Sequence, residues 1–114
     1  MPYQVLRHDD YLEVRLEGVI EAALDFDAPP FSGAQGARVL VDYAAVTDVR
    51  ADAYALAEQA HRAEAAGFKV AVFAPRLALF GLNRQALQLG GVQEGISAGV
   101  FSDLDEARAW LRAG

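Results

Sequence analysis

The sequence predicts an α/β domain in which an N-terminal antiparallel hairpin leads into parallel strands that alternate with helices, all sharing one mixed β-sheet. Three observations carry this expectation. Leu12, Val14 and Leu16 alternate with Glu13, Arg15 and Glu17, the period of a strand with one buried and one wet face. Two apolar runs, Arg38-Val39-Leu40-Val41-Asp42 and Lys69-Val70-Ala71-Val72-Phe73, lack that alternation and suit central strands covered on both sides. Between and after them, apolar residues recur at helical spacing.

Taken in order, Tyr3-Gln4-Val5-Leu6-Arg7-His8 is the first strand, Asp9-Asp10 a turn and Tyr11 to Glu17 the second strand, which Gly18 ends. Ile20-Glu21-Ala22-Ala23-Leu24 suits a short helix, stopped by Asp27-Ala28-Pro29-Pro30 because proline lacks a donor and restricts its predecessor. Ser32 to Gly36 continues as a loop. A helix over 51–66 follows the third strand, with Asp52 or Asp48 as its cap and Gly67 as its stop. Ala53, Leu56, Ala57, Ala60 and Ala63 face inward on it, whereas Glu58, Gln59 and Arg62 face water. After the Lys69–Phe73 strand and Pro75, a helix over 77–89 is closed by Gly90-Gly91. A loop over 92–98 leads to a short strand, Gly99-Val100-Phe101. The last helix opens with a capping box, Asp103 to Glu106 or Ser102 to Asp105, and turns Ala107, Trp110 and Leu111 inward. Strands alternating with helices imply right-handed crossovers and a parallel section of sheet.

The 114 residues suit one domain spanning 1–114, with a hydrophobic core that needs no staple. Hydrophobic residues at 54% against 23% charged ones exclude a disordered chain. The absence of cysteine excludes disulfides, thiol nucleophiles and thiolate metal sites. A net charge of −6, with cations scattered as nine arginines and Lys69, argues against a nucleic-acid partner. No apolar run has the length of a membrane span, and Met1-Pro2-Tyr3-Gln4 lacks the pattern of a leader, so the expectation is a cytoplasmic protein.

Several segments in this order resemble the STAS family, the anti-sigma-factor antagonists of SpoIIAA type, and more closely the bacterial SpoIIAA-like (STAS/SEC14-type) proteins. They are Val39-Leu40-Val41-Asp42 with Val46-Thr47, then Gly67 to Pro75, then Phe80-Gly81-Leu82-Asn83-Arg84, and finally Val100 to Leu111. The resemblance runs from Leu12 to Leu111 and is weakest over 19–37. It implies the STAS fold and a regulatory, protein-interaction role without catalysis or cofactor. Kinase-regulated members carry Asp-Ser-x-Gly where the central strand's loop enters its helix; here those positions are Arg50-Ala51-Asp52-Ala53. Ala51 has no hydroxyl, so a switch that adds negative charge at that helix start is lost. Thr47 belongs to the preceding loop and does not replace it.

Candidate chemistry is sparse. His61 has Glu58 and Glu64 three residues to either side and Tyr54 seven before it, a grouping capable of proton transfer but without a recognisable nucleophile. His8-Asp9-Asp10 reads as a turn in preference to a metal site, since adjacent strand residues point to opposite faces. Gly90, Gly91, Gly95 and Gly99 follow a helix, whereas phosphate-binding glycines open one. The helix over 77–89 is the oddity. Leu79, Phe80, Leu82, Ala86, Leu87 and Leu89 cover about half its circumference, with Asn83 inside that sector and Arg84 at its edge, wider than the usual core stripe.

Two expectations rank above a His61-dependent enzyme. The first is an interaction module, a homodimer or the binder of another protein. Its surface would combine Phe80, Leu82, Asn83 and Arg84 with the loop–helix junction at Thr47, Arg50, Asp52 and Tyr54. The second is a carrier of a small apolar or amphipathic ligand, held in a pocket of Phe73, Phe80, Leu82 and Leu87 with Asn83 or Arg84 as the polar contact.

Overall fold

The structure is a computed structural model that describes residues 3–113; Met1 and Pro2, at the head of the segment expected to carry no leader, lie outside the described residues, as does Gly114. β1 (Tyr3–Arg7) and β2 (Leu12–Ile20) pair antiparallel, and the turn between them closes where the His8 N–H donates to the Tyr11 carbonyl at 2.9 Å. β3 (Arg38–Val49), β4 (Lys69–Phe73) and β5 (Ala98–Phe101) add in parallel, giving a five-stranded sheet in the order β1-β2-β3-β4-β5. α1 (Ala53–Ala65) connects β3 to β4, α2 (Leu77–Leu89) connects β4 to β5, and α3 (Leu104–Arg112) follows β5. The α/β fold with an N-terminal hairpin is as the sequence predicts.

The register explains why one face of the sheet is the main core. Val5, Val14, Val41, Val72 and Val100 lie side by side, one from each strand. Branched side chains in such a row fill a pleated surface well. Onto the same face fold Ala63 of α1 and Leu79 and Leu87 of α2. Strand neighbours point the other way, and there the row is Leu6, Glu13, Leu40, Ala71 and Gly99. It shrinks toward β5, which lets α3 lay Ala107 and Leu111 against Leu40 and Ala71. A Cβ at Gly99 would come within 2.9 Å of the Phe101 ring, so only glycine leaves that ring and the neighbouring Trp110 their place.

Local signals hold the helices where expected. Asp52 caps α1 by accepting from the Ala55 N–H (2.8 Å), and Asp103 caps α3 by accepting from the Glu106 N–H (2.9 Å). At the end of α2, Gly91 adopts φ +70 while the Val92 N–H donates to the Leu87 carbonyl at 2.9 Å. Its neighbour Gly90 serves a different purpose: a Cβ there would lie 2.6 Å from the Ala57 carbonyl oxygen of α1, so the glycine permits the helices to approach. Lys69 donates to the Trp110 and Ala113 carbonyls (2.7 and 2.6 Å), satisfying the C-terminus of α3 from the sheet.

Three expectations need correction. Ile20 to Leu24 is not a helix: Ile20 ends β2 opposite Val49, and the Leu24 N–H donates to the Gln59 side chain at 2.7 Å. The segment after it packs Phe26 and Phe31 against Phe68, with ring centroids 5.2 and 6.3 Å apart, so sheet and aromatic contacts outweigh local helix preference. β3 runs on past Asp42 to Val49, pairing with β2 across two irregularities of register, and Thr47 is therefore a strand residue. Glu13, expected on a wet face, is 1% exposed because that face is covered.

Candidate functional site

The two segments singled out from the sequence meet at the carboxyl end of the parallel strands. The α1 entry is built by Arg50, Ala51 and Asp52. Arg50 is exposed and pairs with Glu21 (3.3 Å) and Asp48 (3.9 Å), while the Arg50 N–H donates to the Ile20 carbonyl at 2.7 Å. Ala51 is buried and packs with Leu56 and Ala86. Asp52 is spent on its cap, Thr47 is exposed, and Tyr54 is 74% exposed.

α2 distributes its wide apolar sector over three environments. Leu79, Ala86 and Leu87 are buried on the sheet and against α1. Phe80 and Leu82 are half-buried, Phe80 against the main core and Leu82 against the Ala51–Leu56–Ala86 cluster. Leu77, in the first turn, is 85% exposed. Asn83 is a core residue at 6% exposure, and its Nδ2 donates to the Leu79 carbonyl (2.9 Å). Burial pushes the neighbouring Tyr43 phenol up to about 12, with the Asn83 amide exerting a smaller pull the other way, so Tyr43 stays neutral. Arg84 reaches Glu94 at 2.8 Å and lies 5.6 Å from the Phe80 ring centroid.

The expected pocket of Phe73, Phe80, Leu82 and Leu87 does not form. Phe73 belongs to the α3 face of the sheet, because its neighbour Val72 occupies the α2 face. Asn83, engaged inside the core, and Arg84, paired with Glu94, are not brought together with these four around one space. What the carboxyl end holds is a shallow groove of about 160 Å³ lined by Ala74, Pro75, Leu77, Phe80 and Ser102. A larger groove of about 440 Å³ lies over the β1–β3 half of the sheet, between residues 19–25 and α1.

His61 is exposed and lines neither groove. His8 instead joins a polar cluster that the sequence pattern hides. Its Nε2 lies 3.0 Å from Oε1 of Glu13, its ring stacks on Tyr11 with centroids 4.4 Å apart, and Arg15 donates to Oε2 of the same carboxylate. Arg108 of α3 approaches to 3.9 Å. Burial by itself raises the Glu13 carboxyl, but the hydrogen bonds and charges of Arg15 and His8 together outweigh it and hold the group below the ordinary carboxylate range. A signal was present in the sequence: Arg15 lies two residues from Glu13 on the same face of β2, and His8 lies two residues beyond Leu6, the strand partner of Glu13, on that same side. Among the described residues, no three His, Asp or Glu side chains gather as a metal site, and no helix is long and apolar enough to cross a membrane.

No protein-family model, no curated protein and no solved structure matches the chain.

Proposed function

We propose that this protein is a non-catalytic interaction module of SpoIIAA-like type, acting in the cytoplasm, whose working surface is the carboxyl end of the parallel strands and whose partner is a second copy of the chain. One observation carries the reading: Leu77 and Tyr54, in the first turns of α2 and α1, are 85% and 74% exposed, beside half-buried Phe80 and Leu82. Large apolar side chains left in water at the ends of two neighbouring helices favour a docked surface over a solvated one. Leu77 stands at the rim of the Pro75–Phe80 groove, and a projecting side chain beside a shallow hollow is the self-complementary arrangement a two-fold interface uses. With Ala51 at the antagonists' serine position and buried, regulation by phosphorylation there is not part of the proposal.

Native mass spectrometry together with sedimentation tests it. A dimer is expected for the wild type, reduced to monomer by Leu77→Asp or Tyr54→Asp. Both positions are exposed, so the variants should keep the far-UV circular dichroism of the parent. A wild-type monomer at tens of micromolar, or a dimer indifferent to both substitutions, would remove the reading.

A further inference from the structure

We propose that the larger groove, bounded by the β1 edge, residues 19–25 and α1, is a binding site for a small organic ammonium: an apolar amine with a compact cationic head. The site shares none of Tyr54, Leu77, Phe80 or Leu82 and stands independently of the dimer reading. Its volume of about 440 Å³ falls in the ordinary range for small-molecule sites, roughly 300–1,000 Å³. Leu16, Ile20, Leu24 and Leu56 give it apolar walls. Three of those, Leu16, Ile20 and Leu56, are buried, and the wall formed by residues 21–25 is tied to α1 by the Leu24–Gln59 hydrogen bond, so the groove is held open by core packing.

The charge pattern selects the ligand. Tyr3, Tyr43, Glu21 and Asp25 are among the residues that line the groove, and among the described residues no lysine, arginine or histidine does; Asp25 Oδ1 accepts from the Asp27 N–H at 2.9 Å, which leaves its second oxygen free of that bond. Tyr43 is 2% exposed and forms the floor, so the aromatic side chain open to a ligand is the half-buried Tyr3. Aromatic rings and carboxylates around an apolar hollow attract an ammonium through the ring quadrupole and through charge. The same lining repels a sulfate, phosphate or carboxylate head. Arg50 does pair with Glu21, but both side chains are well exposed (65% and 72%), and such a pair exchanges readily with an incoming cation.

The test titrates hexyltrimethylammonium, hexyl sulfate and 1-hexanol into the full chain, read by two-dimensional amide NMR. The ammonium is expected to give saturable shifts at Val19 to Asp25, Leu56 and Gln59. Hexanol should bind the same residues more weakly, by about fivefold or more, and hexyl sulfate should leave them unmoved. Tyr3→Leu should weaken the ammonium by about two- to fivefold, as loss of a cation–π contact does. Glu21→Gln with Asp25→Asn, both at exposed positions, should weaken it roughly three- to tenfold. No saturable shift up to the probe's solubility would overturn the proposal. So would sulfate or alcohol binding as tightly as the ammonium, or ammonium binding indifferent to loss of both carboxylates.

Discussion

The two faces of the sheet solve the same packing problem in different ways. One is a continuous apolar field in which a valine from every strand lies in register and α1, α2 and the aromatic residues of the 21–37 connection close over it. The other has a single nine-residue helix, and its matching row contains Glu13, 1% exposed among Leu6, Leu40 and Ala71. A buried carboxylate survives there because two partners reach it from the rim: His8 and Arg15, 37% and 52% exposed, each satisfy one of its oxygens, with Arg108 3.9 Å away. The difference teaches that burial of a residue and dryness of its surroundings are separate matters. Val14, Val41, Val72 and Val100 are buried among apolar neighbours, whereas Glu13 is met by polar side chains.

Exchanging the characters of the two rows breaks the comparison most sharply. Val41→Glu puts an unpaired carboxylate in the centre of the valine row, and the expected loss exceeds about 4 kcal/mol, enough to abolish cooperative unfolding by urea. Gly90→Ala probes the same face at the α1–α2 contact. With a Cβ only 2.6 Å from a backbone carbonyl that cannot swing away, a destabilisation of about 1–3 kcal/mol is expected from the denaturation midpoint.

On the other face, Glu13→Gln should cost roughly 1–2 kcal/mol at neutral pH, less than a dry buried pair because its partners are partly solvated. Its pH dependence has a definite sign. The folded carboxyl titrates below its unfolded value, so its contribution is complete above the ordinary carboxylate pKa of about 4.3 and disappears as pH falls through the lower folded value. The stability gap between wild type and Glu13→Gln should therefore close in acid. A gap that widens there would show that the ion cluster does not stabilise the fold. The smallest effect is expected at Gly81, inside α2 with open space where a Cβ would go; Gly81→Ala should stabilise by about 0.5–1 kcal/mol, in contrast to the opposite sign at Gly90 nine residues on.

Much of the candidate site was legible in part. The width of the apolar sector on α2 marked the helix as unusual but left its exposure open; of that sector Leu89 is 46% exposed, and Leu77, outside the sector, is 85% exposed. The same reading placed Phe73 with Phe80 and Leu87, because a run of apolar residues does not say which of two neighbours faces which layer. Asn83 looked like a surface contact, yet it is 6% exposed and its amide donates to the Leu79 carbonyl inside the core. The larger groove had no sequence signature, since its walls come from β1, β2, β3, the 19–25 segment and α1 at once.

What the sequence determined by itself are the features whose causes lie within a few residues. The strand and helix periods are such features, as are the Asp52 and Asp103 caps, the glycine closure of α2 and the pairing of the hairpin. These depend on backbone geometry that neighbours in the chain dictate. What the tertiary structure alone decided is which faces are covered. Glu13 is buried because α3, some ninety residues later, folds back onto the face opposite α1 and α2 and brings Arg108 with it. Ile20 joins β2 because Val49 is there to pair with it. Burial is a property of two surfaces meeting, and a local pattern specifies only one of them.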